Sequence, residues 1–189
     1  GKKSDDYQIK ISIFKFQNSQ ILNPKSQNPK SQNPKSQIPI LMLVKTKAIV
    51  ISTLKFQEKS LIVKCFTQSH GLKSYFVRNA FSGKKNNQKI AYFQPLSILE
   101  IEAVHKNKGT LEHFKEIKTA IPFQTIHLDI VKSTMVLFLS EILHHAIHEE
   151  EKNDDLFQYL EAALQWLDTH NETSNFHLIL MIEITKFLG

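Results

Sequence analysis

The sequence predicts an α+β protein: a five-stranded β-barrel followed by helices. Three observations carry this prediction. Between residues 42 and 102, short runs rich in Val, Ile, Phe and Tyr follow one another, each closed by a polar turn cluster. After Pro122 the apolar spacing changes, and Leu128, Val131, Met135, Ile142 and Ala146 recur at helical intervals. A chain of 189 residues with 41% hydrophobic content is also long and apolar enough for one or two small cored domains.

Residues 1–41 read as an appendage. Tyr7, Ile9, Ile11 and Ile13 alternate with polar residues and fit one short strand. A tandem pentapeptide follows, Asn23-Pro24-Lys25-Ser26-Gln27, repeated from Asn28 and again from Asn33. With a proline every fifth residue and no apolar anchor, it is expected to be an extended, disordered linker. It reads either as a basic tether or as translation upstream of a start at Met42.

The strands come next. Residues 44–56 form the first run, closed by Gln57-Glu58-Lys59-Ser60. Residues 61–67 form the second, ended by Gln68-Ser69-His70-Gly71, and residues 72–80 the third. A long loop at 81–92 holds Gly83 and Asn86-Asn87 as turn formers. Residues 97–104 alternate Leu99, Ile101 and Ala103 against Glu100 and Glu102, a half-buried strand. Lys106-Asn107-Lys108-Gly109 makes a hairpin turn, and 110–119 returns as the fifth strand. Five strands with one long loop match the count of an OB-type barrel, placed at 42–120.

The helical part, 121–189, opens with a helix at about 127–149. Asp154 or Asp155 caps a second, in which Leu156, Leu160, Ala163 and Leu167 share a face. Ser174 or Asn175 caps a third, over 176–188. That helix is apolar nearly all round and is expected to be buried on several sides. Because it stops at Gly189, the helical domain reads as truncated at its C-terminal side.

Charge is unevenly placed. Residues 42–102 hold nine Lys and one Arg against three Glu, or +7, while 103–189 hold seven Lys against thirteen acids, or −6. Such asymmetry suggests two surfaces with different partners. Cations interleaved with aromatics suit a nucleic-acid strand, because ammonium and guanidinium groups meet phosphates and rings stack on bases. The single cysteine, Cys65, excludes a disulfide framework and a multi-cysteine zinc site, and it fits a reducing, cytoplasmic setting. Five glycines leave no P-loop or dinucleotide fingerprint, and no nucleophile–base pair is evident, so an enzyme is not expected.

Several stretches together resemble the RecO family of bacterial recombination-repair mediators, of the Bacteroidetes type. They are Lys45-Thr46-Lys47-Ala48-Ile49-Val50-Ile51, Glu58-Lys59-Ser60-Leu61-Ile62-Val63, and His70-Gly71-Leu72-Lys73-Ser74-Tyr75-Phe76-Val77-Arg78-Asn79-Ala80. Gln94-Pro95-Leu96-Ser97-Ile98-Leu99-Glu100-Ile101-Glu102 follows, then Leu156-Phe157-Gln158-Tyr159-Leu160-Glu161 and Lys186-Phe187-Leu188-Gly189. The resemblance runs from about Met42 to the end. It implies a non-enzymatic protein with an N-terminal OB fold that binds single- and double-stranded DNA and anneals strands. It also implies contacts with RecR and with single-strand DNA-binding protein, and help in loading RecA. The four-cysteine zinc site of some members has no counterpart here, so no metal or other cofactor is carried over.

The candidate DNA contacts are Lys45, Lys47, Lys73, Arg78, Phe81, Lys84, Lys85, Lys89 and Tyr92. Arg78, Lys84 and Lys85 lead, because a loop reaches the backbone and Arg forks onto phosphate. Lys55, Lys59 and Lys64 are further cations. Phe56, Tyr75, Phe76 and Phe93 are stackers only if they are not core, and strand aromatics are more often core. Two rival functions remain: an OB-type RNA-binding module, and a metal-binding helical protein using Glu141, His144 and His148 at helical spacing.

Overall fold

The computed structural model describes residues 42–81, 90–106, 111–148 and 152–188. Expectations for residues 1–41, for Lys84, Lys85 and Lys89, and for the turn at 107–109 lie outside them. Five strands come first: β1 (Met42–Phe56), β2 (Ser60–Thr67), β3 (Gly71–Val77), β4 (Ile98–His105) and β5 (His113–Ile121). Three helices follow: α1 (Ile130–Ala146), α2 (Asp154–Thr169) and α3 (Phe176–Leu188).

The strands form one antiparallel sheet in the order β3-β2-β1-β4-β5. Among the described residues its two outer strands meet at a single parallel bridge, Tyr75 to Glu112. There the Phe76 amide donates to the Glu112 carbonyl at 2.8 Å and the Glu112 amide to the Ser74 carbonyl at 2.9 Å. The sheet therefore curls into the OB arrangement but is joined at one point rather than along a ladder.

β1 explains how the molecule is layered. Ala48, Ile49, Val50 and Ile51 are all buried, which a one-sided strand forbids. Ala48 and Val50 point into the barrel with Val63, Cys65, Tyr75, Leu99 and Ile101. Ile49 and Ile51 face the other way, into a second core built with Phe66, Leu72, Ile98 and the helices. A bulge at Ile51 then shifts the register, since Val50 pairs with Cys65 but Ser52 with Lys64. Beyond it, Thr53 and Lys55 share a side with the barrel residues Val63 and Leu61, and Leu54 and Phe56 turn outward.

Each helix buries one stripe. α1 buries Lys132, Val136, Leu139 and Leu143, one face at helical spacing. Its N-cap is Asp129, whose carboxylate accepts from the Val131 and Lys132 amides, both at 2.9 Å. α2 is capped by Asn153, which accepts from the Leu156 amide at 3.0 Å. Asp154 and Asp155, expected as caps, instead fill the first turn, where negative charge suits the helix dipole. α3 buries Phe176, Leu180 and Ile184. The expected burial on several sides is not what forms: Leu178, Ile179 and Ile182 are exposed, because among the described residues one flank alone is covered.

The joint between sheet and helices is pinned by Asp168. Its carboxylate accepts from the Gln124, Thr125 and Ile126 amides and from the Thr125 hydroxyl, at 2.7–3.1 Å. Burial pushes this carboxyl up, but the four donors outweigh burial and hold it below the usual carboxylate range. The buried Lys132 Nζ closes the cluster by donating to the Thr125 hydroxyl at 2.8 Å and to the Asp168 carbonyl at 3.1 Å.

Candidate nucleic-acid interface

The candidate residues divide by what their strands do with them. Lys45 and Lys47 lie on the helix-facing side of β1, opposite Glu102 and Glu100 of β4. Lys45 Nζ is 3.3 Å from Glu102, which Lys115 of β5 also reaches. The two ammonium groups, Lys115 more strongly, hold the Glu102 carboxyl below its usual value. Lys47 Nζ donates to Glu161 of α2 at 2.6 Å, an ion pair between sheet and helix. These two lysines are engaged within the protein. Lys73 lies on β3 opposite Cys65, beside His70 and His105.

A different set converges where the β1–β2 turn meets the end of β3. Lys55, Lys59, Arg78 and Phe81 are all exposed there. The Phe81 amide reaches the Lys59 carbonyl at 3.4 Å, and Lys55 Nζ stands 5.3 Å from the Phe81 ring centroid, a cation–π contact. Lys59 and Arg78 make no ion pair among the described residues. Among the described residues Glu58, in the turn itself, is the one carboxylate of this end.

The outer face of β1–β2–β3 continues from it. Strand pairing sets Leu54, Ile62 and Phe76 side by side, with Phe56 next to them across from Ser60. Phe56 is 38% exposed, and its ring meets Phe76 edge-on at 6.0 Å. Phe76 in turn meets His113 of β5 at 6.1 Å. Lys64 lies on the same face between Ser52 and Ser74, and its partial burial lowers its ammonium pKa. The face thus offers ring edges and planes, with Lys64 on it and Lys55, Lys59 and Arg78 at one end. This is the pattern on which unstacked bases and a phosphate backbone are held.

Among the other aromatics, Tyr75 and Phe93 are core. Both rings stack on Phe114 inside the barrel, at 4.2 and 5.7 Å. Tyr92 is half-buried and packs against the same core, so of the two loop-flanking rings Phe81 is the open one. The residue pattern favours the core for Phe56 and Phe76, and the bulge that turns Phe56 outward leaves no mark in it.

The helical histidines do not assemble a metal site. His145 Nε2 lies 3.1 Å from Glu141 Oε1 on an exposed face, and His144 meets the His145 ring edge-on. His148 Nδ1 is bonded to the Ala146 carbonyl at 3.1 Å. Among the described residues no group of three His, Cys, Asp or Glu side chains could hold a metal ion. No helix among them is long and apolar enough to cross a membrane.

Fold and surface together define an OB-type barrel backed by helices, with a cationic, aromatic outer face. The sequence matches two family profiles in succession: "Recombination protein O N terminal" over residues 42–123 and "Recombination protein O C terminal" over residues 127–189. The chain belongs to the recombination protein O, or RecO, family. It is 78% identical over 148 residues to a DNA repair protein RecO of Flavobacterium johnsoniae and 73% identical to that of Flavobacterium psychrophilum. More distantly, it is 27% identical over 150 residues to that of Porphyromonas gingivalis. The Flavobacterium alignments cover 78% of this chain and 62% of the relatives' length, so the chain spans less than two thirds of the proteins it matches.

Proposed function

We propose that this chain binds DNA strands during recombinational repair, without bond chemistry, through the outer face of β1–β3 and the adjoining Lys55–Phe81 end. The observation that carries the proposal is the outward Phe56–Phe76 pair beside Lys64, on a chain of the RecO family. Phosphates are captured electrostatically and bases stack on the rings. Arg78 extends the cationic side, and Lys84 and Lys85, which follow it closely in sequence, are proposed to add phosphate contacts. Holding two strands this way favours annealing. RecR and single-strand DNA-binding protein are the proposed protein partners, RecA the indirect beneficiary, and the cytoplasm the setting; support for these comes from family membership.

Binding of fluorescent single-stranded oligonucleotides, DNA and RNA of equal sequence, tests the reading. The account expects DNA binding that Phe56→Ala with Phe76→Ala weakens. A preference for RNA, or full affinity after both rings are removed, would contradict it.

A further inference from the structure

We propose that the seam joining β3 to β5 is a proton-operated catch, in which protonation of His105 releases the barrel at Glu112. The seam is the weakest joint in the sheet. Among the described residues two backbone bonds join it, beside the ring contacts of Tyr75 with Phe114 and of Phe76 with His113, whereas every other strand pair is held along a ladder.

A buried polar cluster underlies those two bonds. His105, at the end of β4, is fully buried. Its Nε2 is 2.9 Å from the Tyr75 hydroxyl, on the residue of β3 that forms the bridge. Among the described residues the His105 Nδ1 has no hydrogen-bond partner. Glu112, the bridge residue on the other side, is itself buried and accepts from the Lys106 amide at 2.8 Å. His70, from the β2–β3 turn, sets its ring edge-on to His105 at 5.0 Å and bonds Ser69 Oγ at 2.6 Å.

The groups facing His105 are therefore Tyr75 and Lys73 of β3, His70 of the preceding turn, and Glu112 at the head of β5. Met42, its partner on β1, brings no charge. Burial disfavours the imidazolium, and His70 and Lys73 add to that. Glu112 pulls the other way without prevailing, so the ring holds its neutral form below the ordinary histidine value.

The neutral ring leaves one nitrogen without a partner among the described residues, in a buried site. The imidazolium carries two N–H donors and a charge there, a larger penalty. Water relieves it once the seam parts, and the two bonds at Glu112 are the cheapest to break. The sign follows: the neutral folded form is favoured above the ordinary histidine pKa of about 6.5. Closure weakens as pH falls from there towards the depressed folded value, then levels off.

The test is amide hydrogen exchange of the full chain by NMR from pH 8 to pH 5, corrected for intrinsic rates, with the His105 ring titrated in the same samples. Protection of the Phe76 and Glu112 amides should fall by up to about tenfold per pH unit below 6.5, as one linked proton requires. The β1–β2 ladder amides should hold theirs. His105→Gln should make the seam pH-independent, and His70→Gln should not. If His105→Gln fails to fold, the wild-type ring titration paired with seam exchange decides. A seam whose protection ignores pH, a His105 ring titrating at or above the ordinary value, or a response lost with His70→Gln would overturn the proposal.

Discussion

Phe56 and Phe76 show how much depends on the direction of one side chain. Both sit on strands rich in apolar residues, and both are large enough to be core. The bulge at Ile51 turns Phe56 outward, and pairing through Ile62 places Phe76 on the same face. Had the alternation begun by Val44, Ala48 and Val50 continued unbroken, Leu54 and Phe56 would have entered the barrel. A base stacked on an aromatic ring is worth about 1–3 kcal/mol. Phe76→Ala should therefore weaken single-strand binding roughly tenfold to a hundredfold, read by fluorescence anisotropy, with little change in thermal stability. An unchanged affinity would remove the ring from the interface. Asp168 makes the opposite kind of prediction. Asp168→Ala leaves three amides, the buried one of Ile126 among them, without their acceptor and should destabilise the protein by about 2–4 kcal/mol in urea unfolding. Because its folded pKa is depressed, the stability it supplies is present above the ordinary carboxylate range and is lost as pH falls through the folded value.

At the scale of elements, β1 and α3 mark what the residue pattern reveals and what it hides. The five strands and three helices of the described residues are legible, because strands alternate or run apolar between turns and the helices carry a 3.6-residue stripe. Four consecutive buried residues in β1 are legible as a buried strand. That they divide between two cores is not, since division depends on which layer packs on which face. The residue pattern places the α2 cap one or two residues late, because Asn153, Asp154 and Asp155 are all able caps and only backbone geometry selects among them. The cations were legible as residues but not as contacts. Lys45 and Lys47 meet carboxylates from β4 and α2, which lie far along the chain. Lys47→Met should therefore leave the salt dependence of DNA binding unchanged. Arg78→Ala should lower the slope of log affinity against log salt by about 1. Equal changes from the two substitutions would show that the ion pair with Glu161 opens on binding.

For the whole molecule, the second core decides how separable the parts are. Ile49, Ile51, Phe66, Leu72 and Ile98 of the sheet, with Leu96 just before β4, pack with Val136, Leu139, Leu160 and Leu164 of the helices in one cluster. Residues 42–120 alone would expose that side to water. Such a fragment is expected to aggregate or to lack cooperative unfolding in circular dichroism, while residues 42–189 unfold as one. Family membership was legible from degenerate stretches in the right order, because order and spacing carry the fold even where single motifs are weak.

The central claim, that DNA is held by the charge of the barrel's outer face and its adjoining end, is tested most directly by single-strand affinity measured across a salt series. The wild-type chain should lose affinity steeply as salt rises. Charge reversal of Arg78, Lys84 and Lys85 together should flatten that slope. A wild-type affinity independent of salt, or a slope unmoved by the triple reversal, would contradict the account.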